Sequence, residues 1–179
     1  DINKFKKFEN KIIYIIVDKE PNGVLKVLDT DNEETKNSKY ILNAAQRENF
    51  QRDCIEEGLK SADPKDIVLI SDVDEIPNLE QNSLKNIRNK IILFKQKLFY
   101  YKFNLKLDSF EWFGTKGCQK ESLLSPQWLR NVKDKKYPFW RLDRFFSRNK
   151  YRNVSFIENG GWHFSYMKSA KNIEKNLSS

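Results

Sequence analysis

The sequence predicts an α/β fold, and three observations carry that expectation. Two short runs of β-branched and aliphatic residues, Lys11-Ile-Ile-Tyr-Ile-Ile-Val-Asp18 and Asp66-Ile-Val-Leu-Ile-Ser71, have the length and composition of buried strands. Between them, Ile41, Ala45, Ile55 and Leu59 recur at helical spacing, and Gly58 with Asp63-Pro64 closes the segment. Beyond Ile91 the chain turns to β-formers again, with Leu98, Phe99, Tyr100, Tyr101 and Phe103 close together. Strand, helix, strand and then further strands is the order of an α/β sheet.

Taken in order, the first strand is expected over Lys11 to Asp18 and a polar surface connection over residues 19–39, which hold Pro21 and Gly23. The helix follows over Ile41 to Leu59, then the second strand, which runs straight into Asp72-Val-Asp-Glu-Ile-Pro77. Leu79, Leu84 and Ile87 suggest a second helix over residues 79–90, and Ile91 to Leu107 reads as one or two strands. Residues 108–150 are aromatic and basic without a clean period. After them come a strand at Val154 to Ile157, a turn at Asn159-Gly-Gly161 and a helix from Ser169 to Leu177. With 179 residues, no internal repeat and no linker, the whole of 1–179 is expected to be a single domain.

Composition removes several classes of function. Four Trp, seven Tyr and thirteen Phe are too many for a disordered chain, and six Gly and five Pro too few for a fibrous one. Two cysteines, Cys54 and Cys118, make neither a disulfide framework nor a Cys-rich zinc site. No apolar run reaches the roughly 18–20 residues that span a bilayer, and the first residues do not resemble a signal peptide, so a soluble domain without a membrane segment is expected. The net charge is +8, and it is unevenly placed. Residues 1–90 carry 15 basic and 18 acidic side chains, residues 91–179 carry 18 and 7. The basic half is compatible with a phosphorylated ligand, a nucleic acid, a membrane surface or a merely solvated Lys-rich face.

Four places hold side chains with chemistry to offer. Asp72 and Asp74 are separated by one residue just beyond a strand, where open α/β sheets bind ligands, and paired carboxylates suit hard cations such as Mg²⁺ and Mn²⁺. A loop whose acids cap a helix near Asn78 would need the same residues. His163, in Gly160-Gly-Trp-His-Phe-Ser-Tyr166, is the one histidine of the sequence; it reads either as a hydrogen-bonded core residue or as a metal ligand beside carboxylates. Arg52 lies one helical turn from Glu48, as an intrahelical pair would. Arg130, in Gln127-Trp128-Leu129-Arg130, is either a diphosphate ligand or a surface arginine.

Several of these segments resemble glycosyltransferase family 17, which includes the β-1,4-mannosyl-glycoprotein 4-β-N-acetylglucosaminyltransferases. The resemblance runs from about Lys11 to about Lys175. It is carried by Arg52-Asp53 with Gly58-Leu59, by Pro64 to Pro77, by Phe99-Tyr100-Tyr101, by Gln127 to Arg130 and by Gly160 to Tyr166, in that order. It implies a GT-A fold, a Rossmann-like sandwich with a nucleotide-sugar donor at the strand ends. It also implies a bound Mn²⁺ or Mg²⁺ and inverting transfer of N-acetylglucosamine, or a related sugar, from a UDP-sugar donor to a hydroxyl of a glycan acceptor.

Position by position, the resemblance makes Asp74 the direct metal ligand and His163 a further one. Asp72 touches the metal, its water shell or the ribose. Trp162 shapes the donor pocket and Arg130 holds the diphosphate. The general base is left among Glu75, Glu111, Glu121 and Asp143. Relatives carry one more strand before Lys11 and continue beyond Tyr166, so the resemblance implies a chain trimmed at both ends. The alternative of another class is a nucleic-acid or polyanion-binding module built on the basic aromatic stretch from Trp128 to Arg152. The first reading expects no nucleic acid.

Overall fold

In the computed structural model, which describes residues 2–80, 84, 91–135, 147, 149–151 and 153–167, the sheet is organised around its most apolar strand. The short strand β1 (Ile67–Ile70) comes first, followed by β2 (Glu75–Pro77) and the long β3 (Ile91–Tyr100). Then come β4 (Trp112–Gln119), the short helix α2 (Pro126–Asn131), β5 (Val154–Ile157) and β6 (Gly161–Ser165). Ile91, Ile92, Leu93 and Phe94 of β3 are all buried, the continuous apolar run of a strand covered on both faces.

β4 pairs antiparallel with β3 along one edge, and β1 pairs antiparallel with β4 beyond it. The other edge of β3 is shared. β5 lies parallel to Ile91–Phe94, and β6 lies parallel to the stretch from Lys97 to Tyr100. β2 then pairs antiparallel with β6, giving the order β1-β4-β3-β6-β2 with β5 beside β3. The sheet is therefore mixed, and the chain is of mixed α/β class.

Residues 158–160 separate β5 from β6, and two glycines make this break possible. A Cβ on Gly160 would lie 2.8 Å from the Ile157 carbonyl oxygen and 2.9 Å from the Lys95 nitrogen, closer than a methyl group can sit. Gly161 has φ +125°, and a Cβ there would lie 2.0 Å from the Ile76 carbonyl oxygen. The Gly160 carbonyl accepts from Asn78 N at 3.0 Å, while its N–H donates to Lys95 O at 2.8 Å. The Gly-Gly pair thus lets three backbones meet where β6 begins.

Apart from Pro126 and Gln127 at the start of α2, all of this belongs to one compact unit, Asp63–Leu124 with Trp128–Ser179; the other comprises Asp1–Ala62 with Ser125–Gln127. The second unit is built on α1 (Glu33–Cys54) and two 3₁₀ helices, Ile2–Lys11 and Ile55–Leu59. α1 begins before the apolar spacing does. Asn32 caps it, its Oδ1 accepting from Thr35 N at 2.8 Å, and Glu33 and Glu34 complement the positive end of the helix dipole. Asn43 is buried and grips Leu25 with both ends of its amide, accepting from its N–H at 2.7 Å and donating to its carbonyl at 2.8 Å. The expected pair of Arg52 with Glu48 forms at 2.7 Å.

The strand expected over Lys11 to Asp18 is not formed. Residues 12–18 join no ladder, and Ile13, Tyr14 and Ile16 are exposed. An apolar β-branched run becomes a strand only where a second backbone edge meets it, and none does so among the described residues. Apart from Leu79, Glu80 and Leu84, the helix expected over residues 79–90 lies outside the described residues, as does the helix expected from Ser169. No helix among the described residues is long and apolar enough to cross a membrane.

Candidate functional site

β1 ends at Ile70, and the next four residues turn the chain into β2: Glu75 N donates to the Asp72 carbonyl at 3.0 Å. β2 is short, but its first residue is opposite His163 on β6, and Phe164 N donates to the Asp74 carbonyl at 2.9 Å. This pairing brings together residues almost ninety positions apart. Asp74 Oδ2 lies 3.2 Å from His163 Nε2. The Trp112 ring stacks on the imidazole, with centroids 4.5 Å apart. Asp74 is 40 % exposed, so the pair opens to solvent on the carboxylate side, while His163 is buried. The second imidazole nitrogen, Nδ1, is buried without a hydrogen-bond partner among the described residues.

Beside this pair stands a charged cluster. Glu75 is fully buried, and four N–H groups converge on its carboxylate. Oε1 accepts from Trp112 Nε1 at 3.1 Å and from Arg130 Nη2 at 3.1 Å. Oε2 accepts from Arg130 Nη1 at 2.9 Å and from the Asp72 backbone N at 3.0 Å. Arg130 also donates from Nη2 to Asp72 Oδ2 at 2.7 Å and from Nη1 to the Gly114 carbonyl. Gly114 leaves room for this: a Cβ there would lie 2.0 Å from Gln96 Oε1 and 2.7 Å from the Glu75 carboxyl carbon. Three carboxylates outnumber the one guanidinium among them, and the Lys116 ammonium, which interacts electrostatically with Glu75 and Arg130, offsets part of the remaining negative charge.

The sequence-predicted residues therefore divide. Asp72, Asp74, Arg130 and His163 come together. Both Nη groups of Arg130 are engaged by Asp72, Glu75 and Gly114, and its side chain is only 13 % exposed. Trp162 neighbours His163 along β6, so strand alternation sends it to the opposite face of the sheet. Glu75, a candidate base by sequence, is instead enclosed by donors and has no route to a reacting hydroxyl. Glu111 pairs with Lys95, and Asp143 lies outside the described residues, as does much of the basic stretch from Trp128 to Arg152. Sequence reasoning misses two participants, Trp112 and Gly114; nothing in their local sequence marks them, since only the sheet register brings them to Glu75.

Among the described residues no group of three or more His, Cys, Asp or Glu side chains is arranged to hold a metal ion. Asp74 and His163 place two donor atoms side by side, at a distance that is also that of a hydrogen bond. Two neighbouring ligand atoms on an octahedral cation with bonds of about 2.1 Å lie about 3 Å apart, and the 3.2 Å between Asp74 Oδ2 and His163 Nε2 fits that edge. Such a site leaves most positions to water or to phosphate oxygens, the habit of Mg²⁺-like cations bound through one or two carboxylates.

Lys116 secures the end of α2 that carries Arg130. Its Nζ donates to the Arg130 carbonyl at 2.7 Å and to the Val132 carbonyl at 2.6 Å, and it borders a cavity of about 420 Å³ shared with Arg130, Lys133 and Asp134. Burial, reinforced by the charge of Arg130 and opposed by Asp134 and Glu75, lowers its pKa to about 8. The unfolded chain, with the ordinary value near 10.5, therefore binds more protons between pH 8 and 10.5, and stability contributed at this site rises with pH across that window. We expect a gain of about 2 kcal/mol from pH 7.5 to 9.5 that Lys116→Met lacks. Urea denaturation of both proteins at the two pH values checks it, and equal pH slopes would refute it.

Compared with family models, with curated proteins and with solved structures, the chain shows no significant match to any of the three.

Proposed function

We propose that the chain is a GT-A-type, metal-dependent inverting glycosyltransferase domain, transferring N-acetylglucosamine or a related sugar from a UDP-sugar to a glycan hydroxyl. The observation that carries this reading is the Asp74–His163 pair, half open to solvent beside a strand end and set in surroundings of net negative charge. The motif resemblance supplies the reaction, and the geometry supplies residues that suit it.

Asp74 and His163 would hold the cation, Mn²⁺ or Mg²⁺, which when bound stabilises the charge that grows on the departing diphosphate. Asp72 stands one step back, braced by Arg130, where its carboxylate can meet the ribose or a metal-bound water. Trp112 keeps the imidazole plane fixed and shields one face of it from water. The cavity bordered by Lys116, Arg130 and Lys133 also holds Asp134, and with Arg130 engaged by Asp72 and Glu75 and Lys116 by two carbonyls, Lys133 is, among the described residues, its cation for a diphosphate to meet.

Calorimetric titration of the chain with UDP-N-acetylglucosamine tests the proposal. Binding is expected with Mn²⁺ and is expected to weaken at least about tenfold when EDTA removes it. Absence of metal-dependent binding of any UDP-sugar would overturn the reading. Salt-sensitive binding of single-stranded DNA in its place would favour the polyanion module.

A further inference from the structure

We propose that Arg130 and Glu75 are positioning residues, a buried charged brace that holds the Asp72–Asp74 turn and the His163 ring in the geometry of a cation site; the proposal rests on the cation reading above. Glu75 receives the backbone N–H of Asp72, so it fixes the start of the turn that presents Asp74. It receives Trp112 Nε1–H, and the same indole stacks on His163. Arg130 reaches Glu75 with both Nη groups and Asp72 with one of them. One carboxylate and one guanidinium thus touch the supports of all three residues assigned to the site.

A buried carboxylate–guanidinium pair is no better for stability than an apolar pair of the same shape, so fold energy alone gives little reason to keep one. Here the backbone has been cleared to admit it. Gly114 has no side chain where a Cβ would strike the Glu75 carboxylate, and its carbonyl turns to Arg130. What the pair offers beyond an apolar filling is direction: two acceptor oxygens and a planar fork fix angles that packing leaves free.

Charge points the same way: without Arg130 three carboxylates would crowd the turn, and with it the turn keeps a negative balance that favours a cation. Lysine at position 130 would keep that charge but lose the fork that spans Asp72 and Glu75. Glu75→Gln combined with Arg130→Gln would also keep it, removing one charge of each sign. Both changes separate geometry from electrostatics.

Mn²⁺ alone is the probe, followed by the loss of the free-ion electron paramagnetic resonance signal, with near-ultraviolet circular dichroism reporting the fold. The native chain is expected to bind Mn²⁺, and Arg130→Lys to bind about 10- to 100-fold more weakly while still folded. The E75Q/R130Q double variant should show the same loss at unchanged net charge, and it carries the test if Arg130→Lys does not fold. A purely structural pair would lower the melting temperature and leave the affinity of folded molecules intact. Folded variants that bind Mn²⁺ within twofold of the native chain would therefore overturn the positioning role while leaving the cation site standing. A native chain that binds no Mn²⁺ would instead overturn the cation reading, and the brace with it.

Discussion

Glu75→Ala is expected to lower the stability of the chain by about 3–5 kcal/mol, the range for breaking a buried ion pair by removing one partner. The loss has three sources. The Arg130 guanidinium, 13 % exposed, would keep Asp72 and the Gly114 carbonyl but lose both contacts to Glu75. The Trp112 Nε1–H and the Asp72 N–H would lose their acceptor in a site closed to water. A space the size of a carboxymethyl group would remain between β2 and β4. Glu75→Gln keeps the shape and some of the hydrogen bonds, so it should fall between the native chain and the alanine variant. Urea denaturation of the three proteins gives the order. A loss below about 1 kcal/mol in Glu75→Ala would mean that water satisfies the cluster and that the pair is not truly buried.

Asp74→Ala should have the opposite profile. Its side chain is 40 % exposed, and His163 is the partner it meets, so stability should change by less than about 1 kcal/mol. Cation binding, in contrast, should fall by more than about 100-fold, because half of a two-ligand protein set is gone. Metal-dependent affinity for a UDP-sugar should disappear with it. Titration with Mn²⁺ followed by UDP-N-acetylglucosamine reads both effects. If Asp74→Ala bound Mn²⁺ as the native chain does, the cation would have to be held elsewhere, and the site would be misassigned. Together the two variants separate a residue that would meet the cation directly from one that braces the fold and, through it, the site.

The elements visible in the sequence are those whose residues answer to their own neighbours. β1, β3 and β5 coincide with apolar runs; β3 buries most of its length, β1 alternate residues and β5 Val154. β4 does not stand out, and its residues explain why. Gly114 is small to admit the Glu75 carboxylate, Gly117 is small because a Cβ would lie 2.5 Å from Leu69, and Lys116 is there to hold the end of α2. Each choice is set by a residue distant in sequence, so no local propensity records it. The run at residues 12–18 shows the reverse case, in which strand-like composition finds no ladder.

The site divides in the same way. Asp74 and His163 stand in short motifs that single them out by residue type and spacing alone. Glu75 reads as one candidate general base among four until Arg130, 55 positions away, and Trp112, 37 positions away, are seen to enclose it. Glutamate is among the residues least often buried, and its exception depends wholly on partners that only topology supplies.

The break between β5 and β6 bears on how this domain can change over time. Ile157 is opposite Phe94 and His163 is opposite Leu98, so six residues on one side of the pairing match four on the other. The surplus is two, an even number, and evenness is what matters in a structure whose side chains alternate. A one-residue change at 158–160 that is taken up as a one-residue shift of β6 against β3 would present Trp162 or Phe164 to Asp74 and turn the imidazole away. Losing both surplus residues would keep the faces as they are. Length variation at this point should therefore be filtered by parity: descendants of this chain can shorten or lengthen the break in steps of two and keep the histidine in place, whereas odd steps would erase it at once.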